Sequence, residues 1–69
     1  MEMKTEFDRD ADVVYIYLSE IADAGVKNTI SLNEEINIDL DVNGKVLGIE
    51  ILEASKNLSA NALKSVNNI

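Results

Sequence analysis

The sequence predicts an α+β fold: an antiparallel β-meander of four to five strands followed by a short C-terminal helix. Three observations predict it. Residues 36–42 alternate strictly between apolar and polar side chains and run into Asn43-Gly44, a half-buried strand meeting a strong hairpin signal. Residues 3–8 and 13–18 repeat the strand pattern on either side of the polar loop Arg9-Asp10-Ala11-Asp12. Beyond Glu53 the period lengthens, and Leu58, Ala62, Leu63, Val66 and Ile69 fall on one helical stripe. The chain reads as a single domain over residues 1–69, with the sheet at about 3–53 and the helix at about 59–66.

The first strand sets Met3, Thr5 and Phe7 against Lys4, Glu6 and Asp8. The second, Val13-Val14-Tyr15-Ile16-Tyr17-Leu18, is β-branched and aromatic on both faces, the composition of a central strand. A four-residue loop pairs Phe7 with Val14, Thr5 with Ile16 and Met3 with Leu18 on an apolar face. Glu6 then meets Tyr15, and Lys4 meets Tyr17, on a mixed one. Residues 21–27 read as a loop containing Gly25, and residues 29–32 as a short strand. A turn at Asn33-Glu34-Glu35 sets Leu32 opposite Ile36 and Ile30 opposite Ile38.

For the main hairpin, a two-residue type I′ turn at Asn43-Gly44 places Val42 against Lys45. Leu40 then faces Leu47, Ile38 faces Ile49, and Ile36 faces Ile51, all on the apolar side, so turn chemistry and hydrophobic pattern agree. Asn37 with Glu50, Asp39 with Gly48, and Asp41 with Val46 form the other side. Leu52 interrupts the alternation there, which implies that this side is partly covered. The terminal helix, capped by Ser59 or Asn57, is too short to stand alone and must dock on the apolar face. One short helix covers only part of a five-strand face. A homodimer is therefore expected, because a chain this size buries only about 60% of its extended surface.

Composition narrows the function. At 46% apolar and 28% charged residues the chain is an ordinary folder, not a disordered acidic tail. It has no Cys and no His, which excludes disulfides, thiolate zinc sites and catalysis by either residue type. Glycine-rich phosphate or dinucleotide signatures are missing. No apolar run reaches membrane-spanning length and no basic start precedes one, so the expectation is a cytoplasmic protein without membrane contact. Lys and Arg number 6 against 13 Asp and Glu, for a net charge of −7. All 13 acids and four of the bases lie in residues 1–53, leaving a mildly basic tail. Nucleic acid demands the opposite sign, whereas a basic protein partner fits.

Carboxylates are the remaining candidates for chemistry. Asp8, Asp10 and Asp12 begin like a calcium loop, yet Val13 and Ser19 stand where an EF-hand needs its Gly and terminal Glu. Either a looser Ca or Mg site or an acidic turn with Asp side chains bonding local backbone N–H groups remains. Asp39, Asp41 and Glu50 share the polar face of the main hairpin, a side on which Tyr15 or Tyr17 could also lie. As paired carboxylates they could serve a weak hydrolase if burial pushed their pKa values apart, but no loop is long enough to wall a cavity. Tyr15, Tyr17, Asp39, Asp41, Glu50 and Leu52 are also interface or surface candidates, Tyr being enriched at interfaces. The reading that results is a non-enzymatic, homodimer-forming protein-binding domain without a cofactor. Its alternatives are a divalent-cation or small-ligand module and a carboxylate-based hydrolase.

The stretch Phe7-Asp8-Arg9-Asp10-Ala11-Asp12-Val13-Val14-Tyr15-Ile16 resembles the opening of a prokaryotic family of uncharacterised small proteins, the domain of unknown function numbered 2283. That family's pattern is an aromatic-Asp, a few polar residues, Ala-Asp, then an apolar strand containing Tyr. Ile36-Asn37-Ile38-Asp39-Leu40-Asp41, the Asn43-Gly44 turn and the run from Gly48 to Lys56 continue the likeness. Phe7 stands where Tyr is common, and Ser59 where many members have Pro. The resemblance implies a β-meander with a C-terminal helix and brings no catalytic residues. Members are often encoded near small toxin-like proteins, which implies an antitoxin or partner-binding role; together with the acidic charge, the expected partner is a basic toxin-like protein.

Overall fold

The computed structural model of the chain describes residues 3–19 and 25–66. Alternation builds five strands: β1 (Lys4–Asp8), β2 (Val13–Tyr17), β3 (Asn28–Ser31), β4 (Ile36–Leu40) and β5 (Val46–Ile51). They form one antiparallel meander sheet in the order β1-β2-β5-β4-β3. The β1–β2 hairpin and the β3–β4–β5 unit join where β5 pairs with β2, so β5 is the central strand. Two one-turn-scale helices follow, α1 (Ala54–Asn57) and α2 (Ala60–Ser65).

Turn length and hydrophobic pattern set the register as expected in the first hairpin: Phe7 pairs with Val14, Glu6 with Tyr15, Thr5 with Ile16 and Lys4 with Tyr17. The strands end there, so Met3 and Leu18 lie beyond the ladder. In β3–β4, Ile30 meets Ile38, and the Leu32 N–H donates to the Ile36 carbonyl. Asn33 shapes the turn between them by accepting the N–H groups of Glu35 and Ile36 at 2.8 and 2.9 Å.

The main hairpin departs from expectation at its tip. A type I′ turn needs positive φ at both central residues, and here only Gly44 has it, at 77°. Asp41 explains the difference. Its carboxylate accepts the N–H of Asn43 at 2.8 Å and of Lys45 at 2.9 Å, while its carbonyl accepts the Gly44 N–H. These bonds select a three-residue loop, with Gly44 alone in the left-handed region. Leu40 consequently pairs with Val46 rather than Leu47, and Leu47 is the extra residue of a bulge. The bulge restores the expected register from Asp39–Gly48 onward through Ile38–Ile49, Asn37–Glu50 and Ile36–Ile51.

The core lies on one side of the sheet. Val14 and Ala54 are fully buried, Phe7 and Ile51 nearly so, and Ile16, Ile36, Ile49, Leu58, Leu63 and Val66 pack around them. Ser59 caps α2 by accepting the Ala62 N–H. Helix α2 stops at Ser65, one residue short of expectation, with Val66 already extended. Ile69 of the expected stripe, and residues 21–24 of the expected loop, lie outside the described residues. Asn57, the other expected cap, instead donates to the carbonyls of Leu52 and Glu53 and to Glu35. Hydrogen bonds from Asn57 and then Lys56 hold the Glu35 carboxyl below its ordinary pKa.

Helix α1 was not evident in the sequence pattern; Asp12 anchors it. Asp12, at φ 56°, and Glu53, at φ 47°, both take left-handed backbone at this junction. The Asp12 carbonyl accepts the Ala54 N–H at 2.8 Å, and its carboxylate accepts the Ser55 N–H at 3.1 Å and the Ser55 hydroxyl at 2.7 Å. An aspartate 43 positions away in the chain thus does the work of a helix cap. Asp12→Ala removes both carboxylate bonds and puts a Cβ-bearing residue without local hydrogen bonding into left-handed backbone. We expect it to cost about 1–3 kcal/mol in chemical unfolding, and Asp12→Asn to cost clearly less.

Candidate functional site

The side of the sheet opposite the core carries a hydrogen-bonded polar array. Period-two alternation places Lys4, Glu6, Tyr15, Tyr17, Gly48, Glu50, Asn37, Asp39, Thr29 and Ser31 there. The Tyr15 hydroxyl donates to Asp39, whose other oxygen accepts the Thr29 hydroxyl at 2.8 Å. Asn37 donates to Glu50 at 3.2 Å and accepts from Ser31 at 2.7 Å. On the far side Tyr17 donates to Glu6 at 2.7 Å. The Lys4 ammonium stands 3.6 Å from Glu6 and 5.3 Å from the Tyr17 ring centre.

Gly48 makes the central link. Tyr15 sits on β2 and Asp39 on β4, with β5 between them. The tyrosine crosses β5 over Gly48: a Cβ there would lie 2.7 Å from the ring edge and the hydroxyl of Tyr15, and 2.8 Å from the Ile16 carbonyl. The missing side chain at this position leaves the room that the Tyr15 ring occupies above the strand. Tyr17 packs against it, ring centres 4.5 Å apart and tilted by 53°.

Both hydroxyls are harder to ionise than usual. Burial, then the hydrogen bond to Asp39, pushes the Tyr15 pKa well above its ordinary value. For Tyr17 the hydrogen bond to Glu6 acts first, followed by burial. Each hydroxyl is therefore a proton donor held by a carboxylate across the ordinary pH range. The result is a flat polar surface, and among the described residues no cavity opens beside it.

The structure thus gathers Tyr15, Tyr17, Asp39 and Glu50 on one face, and leaves the other candidates apart from it. Asp41 is engaged by its own turn. Leu52, half-buried, follows β5, its N–H on the Glu35 carbonyl. Asp8 accepts the N–H groups of Asp10 and Ala11 at 3.1 and 3.2 Å, and Asp12 holds α1. The acidic loop thus matches the local-bonding expectation for Asp8, and among the described residues no group of three or more carboxylates gathers as a metal ion requires. Sequence reasoning had not singled out Glu6, Thr29 or Gly48. For Gly48 the signal was present, since an isolated glycine inside a strand marks a close approach.

Two outcomes follow. Gly48→Ala is expected to destabilise the fold by about 1–3 kcal/mol, and adding Tyr15→Ala to recover only part, because the Ile16 carbonyl stays in place. The raised Tyr15 pKa means that the folded chain holds this proton more tightly than the unfolded one, whose tyrosines ionise near 10. Stability is therefore intact below that pH and declines as pH rises through it. Urea midpoints at about pH 9 and about pH 11 should differ less in Tyr15→Phe than in the wild type.

Comparison with known proteins places the chain among uncharacterised relatives. An uncharacterised protein of Methanocaldococcus jannaschii, MJ0789, is 43% identical over 56 residues, which cover 81% of this chain and 45% of that protein. The chain spans less than half the length of this relative. No solved structure matches. No helix among the described residues is long and apolar enough to cross a membrane. The family described as protein of unknown function DUF2283 matches residues 4–55. This span holds all five strands, the Asp12 anchor and the Tyr15–Gly48–Asp39 crossing, and the chain belongs to that family.

Proposed function

We propose that the chain is a non-enzymatic protein-binding domain that works as a homodimer. The observation that carries this reading is the incomplete cover of the apolar face. Helices α1 and α2 pack over the Phe7, Val14 and Ile51 end, while toward β3 Ile38 and Leu40 are only half-buried and Ile30 and Leu32 are 53% and 67% exposed. Contiguous apolar surface of this kind is an interface feature, and a second copy meeting it at the β3 side is its simplest complement. The polar side supports a basic protein as the further partner. It presents Glu6, Asp39 and Glu50 around two tyrosines, and Lys4 already illustrates how a cation sits there.

Sedimentation at micromolar concentration tests the reading. The wild type should run at twice the 7.6 kDa chain mass, and Leu32→Glu should shift it toward the monomer with its circular dichroism unchanged. A wild-type monomer counts against the homodimer. Raised salt should leave self-association in place while weakening capture of a basic protein, because only the second contact is mainly electrostatic.

A further inference from the structure

We infer that the second copy joins edge to edge through β3, giving a continuous sheet across a two-fold axis with Ile30 facing Ile30. This rests on the homodimer reading and specifies its geometry. The two sheet edges differ in a way that points to β3. Edge strands are ordinarily protected by charge, proline or bulges. Strand β1 carries Lys4, Glu6 and Asp8, with Lys4 and Glu6 paired. Strand β3 is Asn28-Thr29-Ile30-Ser31: four exposed residues with no charge and no proline, in a chain of net charge −7.

The hydrogen-bonding pattern fixes which groups this edge offers. The Leu32 N–H bonds the Ile36 carbonyl, so the even-numbered residues of β3 direct their backbone groups toward β4. Thr29 and Ser31 then direct their N–H and carbonyl groups outward. Among the described residues no backbone hydrogen bond reaches that side. An antiparallel copy centred on Ile30 sets Thr29 of each chain against Ser31 of the other, so all four outward groups on each chain are satisfied. The Ile30 pair becomes a close, non-hydrogen-bonded pair on the apolar side. Asn28 faces Leu32 of the second copy. The same register sets Lys27 at each end opposite the uncharged Asn33 of the other chain, so no like charges meet directly along the junction.

The chain contains no cysteine, so Ile30→Cys introduces a single thiol that can form only an intermolecular disulfide. Under mild oxidation it should cross-link at least roughly tenfold faster than Asn43→Cys at the exposed hairpin tip, because a non-hydrogen-bonded antiparallel pair satisfies disulfide geometry. Ser31→Pro removes one outward N–H without touching the β4 ladder and should sediment as a folded monomer. If Ser31→Pro unfolds instead, the cross-linking rates decide. A wild-type dimer in which Ile30→Cys shows no rate advantage, or from which Ser31→Pro does not dissociate, overturns the β3 junction and leaves the homodimer reading standing. A monomeric wild type overturns both.

Discussion

The fold depends on the ladder between β2 and β5. Among the described residues it is where the strands of the first hairpin and of the three-stranded unit pair, and it is reinforced from both sides. On one side Val14 faces Ile51 within the buried cluster. On the other, Tyr15 crosses Gly48 to reach Asp39, so a single side chain spans three strands. A chain with so few fully buried residues has little redundancy, and a junction secured on both faces holds together what a thin core alone would not.

The two faces divide the remaining work. One carries the apolar side chains and receives the short helices, which are held by Asp12, Ser59 and Asn57 more than by their own length. The other is a network of short polar links whose hydroxyls stay protonated and whose carboxylates are already engaged. Such a network fixes the orientation of each side chain through the next, because every hydroxyl is held by a partner.

Much of this was legible in the sequence. Alternation and loop length together gave the register of the β1–β2 and β3–β4 pairs and the lower part of β4–β5, because a slip of one residue would turn every apolar side chain to the wrong side. The Ser59 cap was legible for the same local reason. Long-range side-chain bonds were not. Asp41 altered the Asn43-Gly44 turn by accepting two N–H groups at once, and Asp12 produced a helix where four residues, Ala54 to Asn57, are too few to show a period. For the candidate site, pairing arithmetic placed Asp39 and Glu50 on one face of the main hairpin and Tyr15 on the mixed face of the first, without joining the two hairpins. It could not show Tyr15 leaning diagonally over Gly48, since register records opposite neighbours and not the direction of a side chain.

The position of β5 also orders the assembly of the chain in time. The β1–β2, β3–β4 and β4–β5 pairs close over short loops and can form independently, whereas β2 must find β5 across about thirty intervening residues. That closure carries the largest entropic cost and comes after the local hairpins. The Asp12 link to Ser55 can exist only once it is complete. The helices at the end of the chain are therefore the last elements to be secured, and their docking reports that the two halves have met.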